Sequence, residues 1–464
     1  MYTTRRGFLV SSLATVALVG CGVSADSDSD LPTPEPAPDR PAEPAAWVPS
    51  ESLDQASFPW GVQVGEATAN GAIVSCRTDA PAATLVVMRA EGDGWVEASR
   101  QPVTAADGFV RAVLTDLAAD NAYTAMLVTE AGGRSATARF RTALAAGGFR
   151  KLVLTATSCF GGSNPLGFEN VAQAARGRPD AMLLLGDSVY ADGSVSYADY
   201  LGFWERWLAK SPIQELFTNT SVITCWDDHE VDNNWTYGEA DRFTSHVEPE
   251  QVEAAVTAFR RAMPMGVGAD GVAMWRKVSF GDVLDVLVLD ARGERDDADR
   301  IVSDAQLAWA IDALQTSTAA FKLVMASVHM TDHSSIVGTV QAEDRWQGYP
   351  LQRTPLVAAL AATPGAFVVT GDMHYGAVQR VDPEGVAGWD VWEVAAGPVG
   401  STLFPIEDLM VAHSGNPPQY DTVLQGWSTC RLTLDPGLMT VLVEFIDDAG
   451  AVVRSRLLEL ARSR

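Results

Sequence analysis

The chain is short of positive charge. It sets 33 lysines and arginines against 59 aspartates and glutamates, for a formal net charge of −26 over 464 residues. That balance excludes a phosphate-seeking basic face of the kind that binds nucleic acid. It does not exclude an anionic substrate, because bound cations reverse a local field. Cysteine is scarce as well: Cys21, Cys76, Cys159, Cys225 and Cys430 stand at irregular spacing. Such a set is not the dense disulfide framework of a small secreted fold, and it leaves one structural bridge open. A spanning apolar helix is missing near the start, where the run from Phe8 to Val19 is too short to cross a bilayer.

That run belongs to a targeting segment and stands outside the fold argument. Thr4-Arg5-Arg6-Gly7-Phe8-Leu9 carries a twin arginine and resembles a bacterial twin-arginine (Tat) export signal. Leu18-Val19-Gly20-Cys21 resembles a lipobox, with Cys21 as the lipidated residue; the alternative is a plain cleaved signal and an incidental cysteine. Residues 1–21 therefore read as the signal, and 22–55, rich in Pro, Ala, Asp, Glu and Ser, as a disordered acidic tether. The expectation is an exported protein, periplasmic or at the cell surface, associated with the membrane through its lipid.

Two grammars follow. From 56 to 145, short apolar strands such as GAIVSC, ATLVVMR and YTAMLVTE alternate with turns, which suits an antiparallel sandwich without a catalytic constellation. From 150 to 464, apolar runs (LVLTATS, AMLLLGD, SVITCWDD, LDVLVLDAR, FKLVMASVH, AFVVTGD) alternate with helical patterns over 197–209, 249–262 and 304–316. That alternation points to a layered α/β fold. In such folds ligands bind beyond the carboxyl ends of the strands, and there almost every run ends in a polar cluster.

The clusters carry the chemistry. Cys159 ends the first run, either as a small buried hydrophobe or as a soft thiolate donor. Asp187 and Tyr190, three apart, can bring a carboxylate and a phenolate to one centre, or Tyr190 can simply pack. Asp227-Asp228-His229-Glu230, followed by Asp232-Asn233-Asn234, crowds carboxylates that repel one another unless cations separate them. His329 follows FKLVMASV and is either structural or a ligand, while Asp372 and His374, two apart, can address neighbouring ions.

In order, strand-Cys, strand-GDxxY, strand-DDHE, strand-His and strand-GDxH resemble the alkaline phosphatase D (PhoD) family of calcineurin-like binuclear metallophosphoesterases. TATSCF, GDSVYAD, TCWDDHEVDNN, LDAR, GDMHYG and the Trp-Gln-Gly-Tyr stretch of EDRWQGYP carry the likeness, and FPWGVQVGEAT resembles the start of its N-terminal domain. The resemblance implies a four-layer α-β-β-α sandwich preceded by a small fibronectin-like β-sandwich. It implies Fe3+ held by Cys159, Asp187, Tyr190 and His374, with Asp187 bridging. It also implies Ca2+ held by Asp228 and Asp372, with Asn233 or Asn234 as a further contact; if His329 ligates, Zn2+ or Mn2+ fits the second site. Hydrolysis of phosphate esters by a hydroxide held between the cations follows. His229 is then the general acid, and Arg292 either clamps a phosphate oxygen or pairs with nearby acids.

The alternative activity is cleavage of lipid or wall-polymer diesters in the manner of a phosphodiesterase or phospholipase D. A reading from another class, a non-catalytic surface-binding lipoprotein, is disfavoured because Asp187, His229, Asp372 and His374 are all kept.

Overall fold

The computed structural model describes residues 35–239, 244–268, 270–296, 299–338, 340–412 and 417–462. The expected signal over 1–21, Cys21 and the first part of the tether lie outside the described residues.

Runs that are apolar on both faces become central parallel strands, because both faces are covered. Leu152–Thr157, Ala181–Leu185 and Val222–Cys225 are such neighbours in a nine-stranded sheet. The antiparallel strands Thr429–Asp435, Thr440–Ile446 and Val452–Glu459 complete one side of it. A seven-stranded sheet contains Leu284–Val288, Phe321–Met325, Ala366–Thr370 and Trp392–Ala395 as parallel neighbours. Leu154, Leu183 and Ile223 of the first sheet share one core with Val286, Leu323 and Val369 of the second. Trp204 and Phe259, on the helices Tyr197–Leu208 and Pro249–Ala262, cover Met182 and Leu184 on the first sheet's other face. Leu314 and Leu356, on Asp304–Thr316 and Pro350–Ala362, do the same for Val324 and Val368. The mixed α/β body expected from the strand-helix alternation is present.

Helix starts follow local chemistry. Ser196 and Asp199 form a capping box ahead of Tyr197–Leu208, Pro249 opens its helix, and Ser303 accepts from Gln306 N–H at 3.1 Å.

The N-terminal region departs from a free-standing sandwich over 56–145. Gln63–Gly65, Ala72–Arg77 and Phe109–Leu114 extend the nine-stranded sheet, with Gly65 paired in parallel to Val222. An edge strand offers unpaired N–H and C=O groups, and this one is closed by the N-terminal strands. A separate six-stranded sheet packs on them, Leu85, Val87 and Leu127 against Val64, Val74 and Val110. Pro36–Arg464 is accordingly one compact unit. Within it the Tyr123 hydroxyl accepts from Ala118 N–H at 2.7 Å, locking the corner between strands.

The tether also needs correction, since residues 36–55 are docked. Ala37 N–H donates to Asp435 at 2.9 Å, Trp95 Nε1 donates to Ala45 O at 2.7 Å, and Ser52–Leu53 pairs with Gly133–Arg134. Glu43 sits between Arg139 and Arg141, its side chain 9% exposed. Composition reports what a segment can bury by itself; here buried arginines elsewhere supply the partner, and proline lowers the entropy lost on docking.

Cys76, Cys159, Cys225 and Cys430 are free and buried, so the open bridge is not formed among the described residues. No helix among these residues is long and apolar enough to cross a membrane.

Candidate metal centre

Register builds the site. Thr157 pairs with Leu184, and Leu185 with Cys225, so three strands end at one level. Cys159, Asp187 and Asp227 each lie two residues past those ends. From the second sheet Asp372 lies two past Thr370, and Gly371 N–H donates to Ser327 O at 2.9 Å. The sheets meet here: Gly400 and Ser401 N–H both donate to Cys159 O at 3.0 Å.

The chain turns sharply to aim these groups. Cys159, Asp187, Asp372 and His374 adopt φ of 58°, 55°, 65° and 57°, and Asn234 45°. Non-glycine residues avoid this region, and a cluster of them is strain held at one place by its surroundings. Gly186, at φ 93°, is required, since a Cβ there would lie 2.5 Å from the Asp227 Cβ. Glu230 pins the turns, accepting N–H groups of Asp187 at 3.0 Å, Ser188 at 2.6 Å and Asp227 at 2.8 Å.

The result is three groups of ligand atoms chained together through the shared carboxylates Asp187 and Asp228. Cys159, Asp187 and His374 place one donor each within 4.8 Å of one another; Asp187, Asp228 and His229 do likewise, as do Asp227, Asp228 and Asp372. Tyr190 joins the first group, its hydroxyl donating to Asp187 at 3.0 Å and lying 3.4 Å from His374 Nε2. Asp187 Oδ1, Asp227 Oδ2 and Asp228 Oδ1 are buried without a hydrogen-bond partner. Burial and neighbouring carboxylates push Asp187 and Asp372 well above the ordinary carboxylate range. Burial and Asp187 likewise hold the Cys159 thiol and Tyr190 phenol protonated. Each of these costs is relieved by cations, so the donor set fits a binuclear centre: one mixed S/N/O position and one oxygen-rich position.

Other predicted residues fall into place around it. Asn233 and Asn234 line the same cavity of about 370 Å³, and Asn234 N–H donates to Asp228 at 2.5 Å. His229 lines it too, with Nδ1 2.7 Å from Asp192 and its ring stacked 3.9 Å above Tyr190. Burial opposes charge on His229, but Asp228, Asp187 and Asp192 outweigh it and push the imidazolium up to about 11.

Two residues with readings left open stand apart from the donor groups. Arg292 is 1% exposed and ringed by acids. Nε donates to Asp227 at 2.6 Å and Nη1 to Asp344 at 2.5 Å, while Nη2 lies 3.7 Å from Asp228 and 3.8 Å from Asp372. Of the two readings left open for Arg292, pairing with acids is observed at Nε and Nη1, while Nη2 is buried without a hydrogen-bond partner on the side of Asp228 and Asp372. His329 lies outside all three donor groups. It sits four residues past Met325, and its Nδ1 meets His333 Nε2 at 3.0 Å in a pocket with Tyr375 and Gln379. Burial lowers its pKa to about 4, so the ring is neutral there.

Sequence reasoning passed over Asp192, Asp344 and Ser401. Asp192 was visible in GDSVYAD as the last acid after the strand. Ser401, 2.5 Å from the Tyr190 hydroxyl, arrives from a distant loop with no local signal.

A mixed α/β body thus gathers, at its strand ends, donor atoms that suit a pair of cations. A solved PhoD structure superposes with a TM-score of 0.72 at 16% identity, over 89% of this chain and 90% of that one. The purple acid phosphatase PPD1 of yellow lupin (Lupinus luteus) seeds gives 0.61 at 15% identity, over 86% and 73%. The PhoD-like phosphatase family model matches residues 153–427, more than half of the chain, and the chain belongs to that family. Alkaline phosphatase D of Bacillus subtilis (strain 168) is 22% identical over 245 residues, 43% of this chain and 42% of that protein. Family membership implies a phosphatase-type hydrolase.

Proposed function

We propose that the protein is an exported, lipid-anchored phosphoesterase of the alkaline phosphatase D type. The observation that carries the chemistry is the convergence of Cys159, Asp187, Asp228, Asp372 and His374, with carboxylate oxygens left unpartnered. Cys159, Asp187, Tyr190 and His374 would hold Fe3+, and Asp187, Asp228 and Asp372 a Ca2+ ion, oxygen-rich ligation suiting the harder cation. Zn2+ or Mn2+ remains the other candidate for the second position. When bound, the pair supplies charge neutralisation at the phosphoryl oxygens and acidifies water.

The chain's own residues do the rest. Asp192 fixes the His229 ring through Nδ1, which leaves Nε2 to donate a proton to the leaving oxygen. With Asp187 and Asp228 engaged by cations, Asp192 is the anchor of that proton. Arg292 holds Asp227, Asp228 and Asp372 at fixed separation. Tat export and lipidation rest on Arg5-Arg6 and on the stretch ending at Cys21. The four-layer arrangement and the fibronectin-like character of the N-terminal sandwich rest on the shared cores and the sheet order.

A diesterase reading has its own support. The cavity wall carries Val337, Val340, Met373, Leu403, Phe404 and Pro405, an apolar surface suited to a second substituent. Metal analysis and turnover of aryl phosphate mono- and diesters by the natively exported protein test both readings. A fully loaded protein that cleaves neither ester overturns the enzyme assignment, and preference for the diester selects the second reading.

A further inference from the structure

The charge of Arg292 is paired with Asp227 and Asp344, so a second guanidinium at the cleft, without an acid of its own, stands out beside it. That residue is Arg345. It lines the cavity that Asp187, Asp228, Asp372 and His374 also line, yet is only 3% exposed. The fully buried Trp346 beside it anchors this stretch of chain. Nη2 donates to Val340 O at 3.1 Å and Gln347 Oε1 at 3.2 Å, which fixes the plane of the guanidinium. No carboxylate lies within ion-pair distance of Arg345 among the described residues, although Arg295, close by, reaches Asp344 at 3.4 Å. Arg345 Nε is buried without a partner.

A guanidinium does not shed its proton, so burial cannot be relieved as it is for His329. An unpaired buried charge is costly, and a fold that keeps one beside a ligand cavity holds it for an anion.

We propose that Arg345 binds the non-bridging oxygens of the phosphoryl group in this cleft. This rests on the phosphoesterase reading for its substrate, but the binding itself is measurable without turnover. The residue is a substrate-binding group of the Arg345-Trp346-Gln347-Gly348-Tyr349 stretch, whose family likeness was visible in the sequence without a role. Its planar fork matches a tetrahedral oxyanion, which an ammonium meets only as a point charge.

Calorimetric binding of inorganic phosphate to the metal-loaded protein tests this, with wild type beside Arg345→Met and Arg345→Lys. The Met variant should bind phosphate roughly 10- to 100-fold more weakly, the span expected for losing hydrogen bonds to a charged group. The Lys variant should lose several-fold. KM for an aryl phosphate should rise more than kcat falls, with metal content unchanged. Phosphate affinity within twofold of wild type in either folded, metal-loaded variant overturns the assignment. Phosphate binding that depends on Arg345 in a protein that cleaves no ester would sink the phosphoesterase reading and leave the arginine's role standing.

Discussion

The N-terminal flank and the metal cleft use the same residue types to opposite ends. On the flank, acids meet arginines: Arg150 reaches Asp120 at 2.7 Å and Asp180 at 2.8 Å, and Glu43 bridges Arg139 and Arg141. In the cleft, Asp187, Asp227 and Asp228 each keep a buried oxygen without a partner. Backbone geometry differs as well. Left-handed residues on the flank include Asp107 and Asp116 in exposed turns and the buried Glu66, whereas in the cleft Cys159, Asp187 and His374 adopt that conformation side by side. The flank pairs its acids with arginines; the cleft leaves carboxylate oxygens that cations would satisfy.

Asp187→Asn should break the cleft most severely. It removes the carboxylate shared by the Cys159–His374 and Asp228–His229 donor groups, and activity on aryl phosphates should fall by at least about 10³-fold, roughly 4 kcal/mol of transition-state stabilisation. Retention within tenfold would refute its shared role. On the flank, Glu43→Ala strands the buried Arg139 and leaves Arg141 only Asp120, and should cost about 3 kcal/mol in denaturant melts, with kcat/KM and metal content unchanged.

The sharper contrast is in the metal-stripped protein. There Asp372→Asn should be stabilising by about 1 kcal/mol, a rise in Tm of about 1 °C for a chain of this size, because it removes a buried acid from among other acids. The same substitution should abolish activity once metals are restored. A drop in Tm in the stripped protein would show that the acids are not mutually destabilising.

The smallest effect concerns His329. Its folded pKa is about 4 against an ordinary 6.5, so below pH 6.5 the unfolded chain takes up a proton that the folded chain refuses. This contribution is fully present above pH 6.5 and lost as pH falls toward 4. His329→Gln should flatten that slope in thermal melts and leave the metal stoichiometry intact; loss of one metal would return His329 to the ligand set.

Much of the site was legible because its residues are local to strand ends. Asp187, Asp228, Asp372 and His374 follow buried apolar runs, and the layered fold puts such positions together. Arg292 and His329 also follow strands, yet each lies four residues beyond, where the chain has turned and side-chain direction no longer follows from the pleat. The docking of residues 36–55 was hidden for a different reason: its partners, Arg139 and Arg141, are about a hundred positions away.

The sequence by itself determined the alternation of buried strands and amphipathic helices, the donor types at each strand end, and the crowding of acids there. These are local properties of pattern and composition. Which arginine pairs with acids and which has no carboxylate partner among the described residues was decided only in the tertiary structure, as were the joining of the N-terminal strands to the nine-stranded sheet and the pairing of His329 with His333. Each depends on groups from separate strands and loops competing for one another at distances of a few ångströms, and no spacing along the chain encodes the winner.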